Sequence, residues 1–217
     1  MTKTKNPIIK SIIILSILSI IGTLCLYSQL PAQVPIHFDY TGVPDNYGPH
    51  SFVFFTALLP LIMLVFLKVL PKMDPKGDSY LKHGKAYNIL IIFLMIFLIA
   101  LHWVTIGIAL GIELSINKIV PFGIGILFIV IGNYMPQIKQ NYTFGIKLPW
   151  TYNDEGNWRA THRVGGYSYV ASGILFIIAT FVPNVLIPFL TFLSFGCLAI
   201  PMVYSYVYFR KNMGKKN

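Results

Sequence analysis

The sequence predicts an all-α integral membrane protein with six transmembrane helices and both termini on the cytoplasmic side. Of 217 residues, 55% are hydrophobic and only 11% are charged, and the mean hydropathy of +0.67 is high for a chain of this length. The apolar residues gather into six runs, each long enough to approach the roughly 20 helical residues that cross a hydrocarbon core. Lys and Arg fall between those runs, almost all on one side. This positive-inside pattern accounts for a formal net charge of +10 that in a soluble chain would suggest nucleic acid. No direct nucleic-acid contact is expected.

The first run, Pro7–Tyr27, is entered through Lys3, Lys5 and Lys10. It resembles a signal peptide, but it is longer than an h-region and no A-x-A site follows, so it is expected to remain a helix. An extracellular 29–50 loop precedes the second run, Ser51–Leu70. Lys68, Lys72, Lys76, Lys82 and Lys85 flank the passage to the third, Ala86–Leu110. Lys118 alone lies on the opposite side, before the short fourth run, Ile119–Met135. A cytoplasmic 137–162 loop carries Lys139, Lys147, Arg159 and Arg163 into the fifth run, Val164–Phe181. The sixth, Val185–Phe209, ends in Arg210, Lys211, Lys215 and Lys216. Trp103 falls near the outer boundary, and Trp150 and Trp158 near the inner one, as an aromatic belt would.

Pro60 and Pro201 are expected to kink their helices. Gly107-x-x-x-Gly111 and Ser168-x-x-x-Ser172 have the spacing of close helix–helix seams. Cys25 and Cys197 lie inside apolar runs and read as packing residues. No internal repeat is visible, which weakens a transporter reading.

Polar chemistry concentrates in three places. In VPIHFDY, Val34, Ile36, Phe38 and Tyr40 alternate with Pro35, His37 and Asp39, so an extended backbone would send an apolar row one way and a polar pair the other. Thr41-Gly42 and Pro44-Asp45 add turn chemistry. His37, Asp39, Asp45 and His50 are weak candidates for a shared divalent ion. There is no H-E-x-x-H, no Cys pair and no spacing that fixes a tetrahedron, so they are read as bonding the loop's own turns, with no metal or cofactor expected. In the cytoplasmic loop, Thr151 and Asp154 resemble a capping box opening a short interfacial helix from about Asn153 to His162 that continues into the membrane. On it Trp158, Thr161 and His162 share one face, and Arg159 and Arg163 form a basic row facing lipid headgroups, Asp154 and Glu155, or a cytosolic partner. Within the spans, His102 is the one ionisable residue far from a helix end, and is expected to bond across to a neighbouring helix.

Two motifs together resemble the SdpI family. The outer P-x-H-F-D-x-x-G-x-P-D-x-x-G, Pro35 to Gly48, is similar to the membrane module of unknown function at that family's N-terminus. The stretch G-N-Y-M-P-Q-x-x-x-N-x-x-F-G-I-K-L-P-W-T-Y-x-x-E-x-x-W-x-x-T-H-R-x-G-G, Gly132 to Gly166, resembles its C-terminal module. The resemblance implies a division into 1–70, a connecting span over 71–118, and a C-terminal module over 119–217. It implies a bacterial cell-membrane protein giving immunity to a membrane-active antimicrobial peptide. In the type member that toxin is SdpC, and the toxin-bound protein recruits the repressor SdpR. The implied partners are a peptide toxin outside, an SdpR-like repressor inside, and membrane lipids. The matching outer positions are Pro35, His37, Asp39, Gly42, Pro44, Asp45 and Gly48. The inner ones are Asn133, Pro136, Asn141, Gly145, Pro149, Trp150, Thr151, Trp158, Thr161, His162, Arg163 and Gly166. Lys147 departs from the family's usual Arg and lacks its planar fork. Such a protein is not an enzyme; the competing readings are a membrane metalloenzyme on the outer His/Asp loop and a small peptide or lipid transporter.

Overall fold

The computed structural model describes residues 7–213; Lys3, Lys5, Lys215 and Lys216, used in the charge argument, lie outside the described residues. The elements in order are α1 (Pro7–Leu26), β1 (Gln33–Phe38), β2 (Pro44–Pro49), α2 (Phe52–Met73), α3 (Ser79–Ala109), α4 (Ile116–Tyr134), α5 (Pro149–Asn153), α6 (Glu155–Ala179) and α7 (Ile187–Met213). Five of them, α1 to α4 and α7, are long and apolar enough to cross a membrane. The expected fifth run lies in α6, which falls outside that group because its first turns read EGNWRATHR and its apolar half carries Gly, Ser and Tyr. Backbone contacts divide the chain into two compact units, Met1–Leu67 with Ile91–Val120, and Lys68–Leu90 with Pro121–Asn217.

In the first unit α1 turns its polar residues inward. Ile12, Ser16, Ser19 and Thr23 are its buried residues, while Ile14, Leu15, Ile17, Leu18, Ile21 and Leu24 are exposed. In lipid the tails are as apolar as leucine, so small hydroxyl residues take the helix–helix face, and two of them return their protons to the preceding turn. Ser16 Oγ donates to Ile12 O at 2.9 Å and Thr23 Oγ1 to Ser19 O at 2.8 Å. Leu30, Val34, Val53 and Ile106 form an apolar core, backed by Leu26, Tyr27, Trp103 and Ala109.

The segment expected as an extracellular loop is an antiparallel hairpin, so the architecture is helical with one small sheet. Val34 pairs with Gly48 and Pro35 with Tyr47, but the register shifts on either side of His37. That irregularity breaks the expected alternation: Val34 is buried, whereas Ile36 and Tyr40 are exposed. At the tip Gly42 has φ +88°, and a Cβ there would sit 3.1 Å from the backbone nitrogen of Asn117. Both the backbone conformation and the space require glycine.

The Gly107/Gly111 pair is a helix stop, contrary to the expected seam. Gly111 has φ +86°, Ile112 N–H bonds Gly107 O at 2.9 Å and Gly111 N–H bonds Ile108 O at 3.0 Å, the paired bonds of a glycine-terminated helix. The glycine seam is elsewhere, in the second unit, between α4 and α6. A Cβ on Gly125 would meet Gly173 O at 2.7 Å, and one on Gly132 would meet Gly166 O at 2.6 Å. Two glycines seven residues apart on each helix thus bring the two backbones into contact. The helices α2 and α7 continue through Pro60 and Pro201. The helix expected from about 153 and continuing into the membrane starts at Glu155 and runs unbroken to Ala179, and its cap is Asp154 alone, which accepts from Gly156 N–H and Asn157 N–H at 2.7 and 3.2 Å; Thr151, expected to share a capping box with it, serves the start of α5 instead.

Candidate functional site

The hairpin holds the first set of candidates. Asp39 Oδ1 accepts from Thr41 N–H at 2.9 Å, Thr41 Oγ1–H at 2.6 Å and Val43 N–H at 2.9 Å, so this carboxylate builds the turn. The Thr41 hydroxyl first, and then the Val43 amide, hold its carboxyl below the usual value against a small opposing desolvation. His37 Nδ1 lies 2.5 Å from Asp45 Oδ1, a pair open to solvent across the two strands. His50 packs its ring on Tyr27, centroids 4.5 Å apart. The four weak metal candidates are therefore engaged separately, and among the described residues no three His, Cys, Asp or Glu side chains gather in metal-binding geometry. Pro35 in β1 and Gly48 in β2 are buried, and Pro44 opens β2. Ile36, Tyr40, Val43 and Tyr47 are exposed on the hairpin, as is the His37–Asp45 pair.

His102 is buried on α3 and bonds two other helices. Its Nε2 is 2.8 Å from Thr23 Oγ1 of α1, and its Nδ1 is 2.9 Å from Thr56 Oγ1 of α2. Each threonine also reaches a carbonyl on its own helix, Ser19 O or Val53 O. One imidazole thus joins three helices within the first unit, where no water competes for its nitrogens.

The second unit holds a dense polar platform over residues 138–162. Trp158, Thr161, His162, Thr151 and Asn141 are fully buried. Trp158 Nε1 donates to Ile138 O at 2.9 Å, and its ring stacks on His162, centroids 4.2 Å apart. His162 Nδ1 faces Trp158 O at 2.8 Å while its Nε2 accepts Ile146 N–H at 3.0 Å. These partners define the neutral tautomer with its hydrogen on Nδ1. Gly145, at φ +115°, leaves room for that ring; a Cβ there would collide with His162 Nε2. Thr151 Oγ1 accepts Leu148 N–H at 2.9 Å and faces the Ile146 and Leu148 carbonyls, so it closes α5, which Pro149 begins. Asn141 Oδ1 accepts Thr143 N–H and Phe144 N–H at 3.0 and 2.6 Å, and its Nδ2 donates to Lys139 O at 2.8 Å. Gly166 belongs to the glycine seam. Trp150 stacks near Phe209 and Tyr206 of α7.

The structure separates the remaining candidates from this platform. Asn133 is exposed and bonds only its own helix, at Ile129 O. Arg159 and Arg163 are exposed, and among the described residues neither pairs with Asp154 or Glu155. Trp158, expected in an interfacial belt, lies wholly inside the protein because its indole N–H finds a buried carbonyl. Lys147 reaches only Thr143 O, at 3.4 Å.

Four residues singled out by the fold were missed in the sequence. Asp74, buried in the turn after α2, accepts through Oδ2 from Tyr142 N–H, Thr143 N–H and Thr143 Oγ1–H at 2.9, 3.1 and 2.9 Å, and through Oδ1 from Lys76 N–H. Burial pushes its carboxyl up, but these bonds outweigh burial and hold it below the usual value. Asn157 ties α6 to α7 through Ser205 O and Ser205 Oγ at 3.0 and 2.8 Å. Gln140 Nε2 bonds Thr151 O and Tyr152 O, each at 2.8 Å. Tyr80 contacts Thr143 Oγ1. The only sequence signal was polarity in loops already assigned to charge balance.

Such a chain, mostly helical, with several membrane-crossing helices and a hydrogen-bonded polar platform, is a multi-pass cell-membrane protein. Residues 137–208 match the SdpI/YfhL protein family, and residues 14–64 match a domain of unknown function, DUF1648. The chain is 28% identical over 205 residues to "Immunity protein SdpI" of Bacillus subtilis (strain 168), covering 94% of this chain and 97% of that protein. The SdpI-family resemblance read from the two motifs holds at both ends of the chain. No solved structure matches it.

Proposed function

We propose that this chain is a membrane immunity protein protecting a bacterium from a membrane-active antimicrobial peptide. The carrying observation is the near full-length similarity to Immunity protein SdpI, at 94% coverage of this chain. Protection rests on binding rather than turnover; Asp39 in the hairpin and Asn141, Thr151 and His162 in the platform are engaged in bonds that hold the local backbone. Six spans cross the membrane, the fifth being the part of α6 from Val164 onward, with both termini inside. The hairpin then lies outside and the 137–162 segment inside, as the distribution of Lys and Arg favours. Residues 1–70 form the toxin-facing module, 71–118 the connecting span and 119–217 the inner module.

In this reading Ile36, Tyr40, Val43 and Tyr47 meet the apolar side of the peptide, and the open His37–Asp45 pair meets its polar groups. The platform around Trp158 and His162 keeps its shape, and the exposed Arg159 and Arg163 present it to a cytosolic repressor of the SdpR kind. Survival of a sensitive strain under an SdpC-type peptide tests the idea, at matched membrane levels of each variant. Tyr40→Ala with Asp45→Asn is expected to lower protection at least about tenfold, while Arg163→Ala keeps protection and loses repressor recruitment. Full protection by the hairpin variant would remove the hairpin from toxin engagement.

A further inference from the structure

A second polar site lies in the second unit, away from the Trp158–His162 stack. A cavity of about 350 Å³ is lined by Lys76, Ser79, Lys82, Lys139, Gln140 and Glu155. These residues come from the turn after α2, the first turns of α3, the loop after α4 and the start of α6. Three lysines and one glutamate are among its lining. Positive-inside charge alone would scatter lysines over a surface; here they converge on a concavity.

One wall is fixed in advance. Lys76 Nζ donates to Gln140 Oε1 and lies over the Tyr142 ring, 5.6 Å from its centroid. Gln140 is itself held by Thr151 O and Tyr152 O, and Ser79 Oγ donates to Gln140 O at 2.8 Å. Lys82 and Lys139 also line the cavity, and their ammonium groups have no hydrogen-bond or ion-pair partner among the described residues. The first amides of α3 are already taken: Ser79 N–H bonds Lys76 O and Tyr80 N–H bonds Gly77 O, at 2.9 and 3.0 Å. The helix start therefore contributes its dipole alone, and recognition falls to the lysines.

We propose that this cavity binds a phosphate group, with Lys82 and Lys139 closing on its oxygens and Lys76 as the fixed third charge. Compact ammonium charges from separate elements suit an anion with several oxygens at different angles. Basic pockets at the ends of membrane helices also take phospholipid headgroups. Glu155, the one carboxylate in the lining, accepts from a hydroxyl of a headgroup or from the P–OH of hydrogen phosphate. The source is either a lipid headgroup or free phosphate, and one experiment separates them.

The full chain in neutral detergent is titrated with inorganic phosphate at constant ionic strength, with unfolding temperature as the readout. In parallel it is placed in phosphatidylcholine nanodiscs with and without phosphatidylglycerol, and retained phosphatidylglycerol is counted by native mass spectrometry. Lys82→Gln with Lys139→Gln is compared with Lys10→Gln with Lys211→Gln, which removes the same charge from outside the cavity. The cavity variant is expected to lose at least about tenfold in apparent affinity and the control to keep it; Lys82→Gln alone moves in the same direction. A response confined to the phosphate arm identifies free phosphate, and one confined to phosphatidylglycerol identifies a headgroup. Equal binding by the two double variants, or no binding in either arm, overturns the proposal.

Discussion

His162 is the residue in which local geometry and solution behaviour meet most directly. A hydrogen on Nδ1 serves Trp158 O, and the lone pair on Nε2 serves Ile146 N–H. A second proton on Nε2 would point at that amide. Burial lowers the imidazole's pKa to about 4, with the Trp158 carbonyl opposing in part. The folded value lies below the 6.5 of a free imidazole, so between the two the unfolded chain binds more protons. This contribution to stability is complete above about pH 6.5 and is lost as the pH falls towards 4. It amounts to about 3 kcal/mol at most. Unfolding in detergent is expected to show a midpoint that drops between pH 7 and pH 4.5. In His162→Gln the slope should flatten, and an unchanged slope would place the proton uptake elsewhere.

At the scale of elements, the α4–α6 seam sets the strictest steric demand. Gly132→Ala places a methyl 2.6 Å from Gly166 O, with no flexible side chain to yield, and is expected to cost about 1–3 kcal/mol. Gly196→Ala in α7 meets nothing within 4 Å and should leave stability unchanged or slightly raised. Thermal unfolding of the two variants side by side checks the contrast; equal melting would mean that α4 shifts to make room. This seam was hard to read in the sequence. A search for small residues four apart found Gly107 and Gly111, which prove to be a helix cap, whereas glycines seven apart on two helices gain meaning only once those helices are paired. The apolar runs were legible because helix length in lipid is a one-dimensional constraint. The hairpin was legible as a turn with extended flanks but not as a bulged pair, since register depends on the partner strand.

For the whole molecule, the open question is the path of α6, since five helices meet the length and hydropathy of a span and α6 does not. The proposed six-span path puts the hairpin and the C-terminus on opposite sides; a five-span path puts them on the same side. With Cys25 and Cys197 replaced by Ser, an impermeant maleimide is expected to label Tyr40→Cys in intact cells and Lys211→Cys only after lysis. Labelling of both in intact cells would mean that α6 does not cross. The candidate site was partly legible. That Trp158, Thr161 and His162 share one face followed from helical periodicity, but the burial of that face did not, and Asp74 and Asn157 were invisible because their partners lie far along the chain.

The Asp74 contacts bear on how the protein is made. Asp74 enters the nascent chain long before the amides that receive it, with 68 residues separating it from Tyr142. In the interval a carboxylate destined for burial waits beside the ribosome and translocon with only its local Lys76 amide for company. The α2–α3 turn therefore reaches its final form only after α4 has been synthesised. Biogenesis of this part of the protein is tied to completion of its C-terminal half, and a truncated copy would carry an unfinished turn that quality-control proteases can recognise.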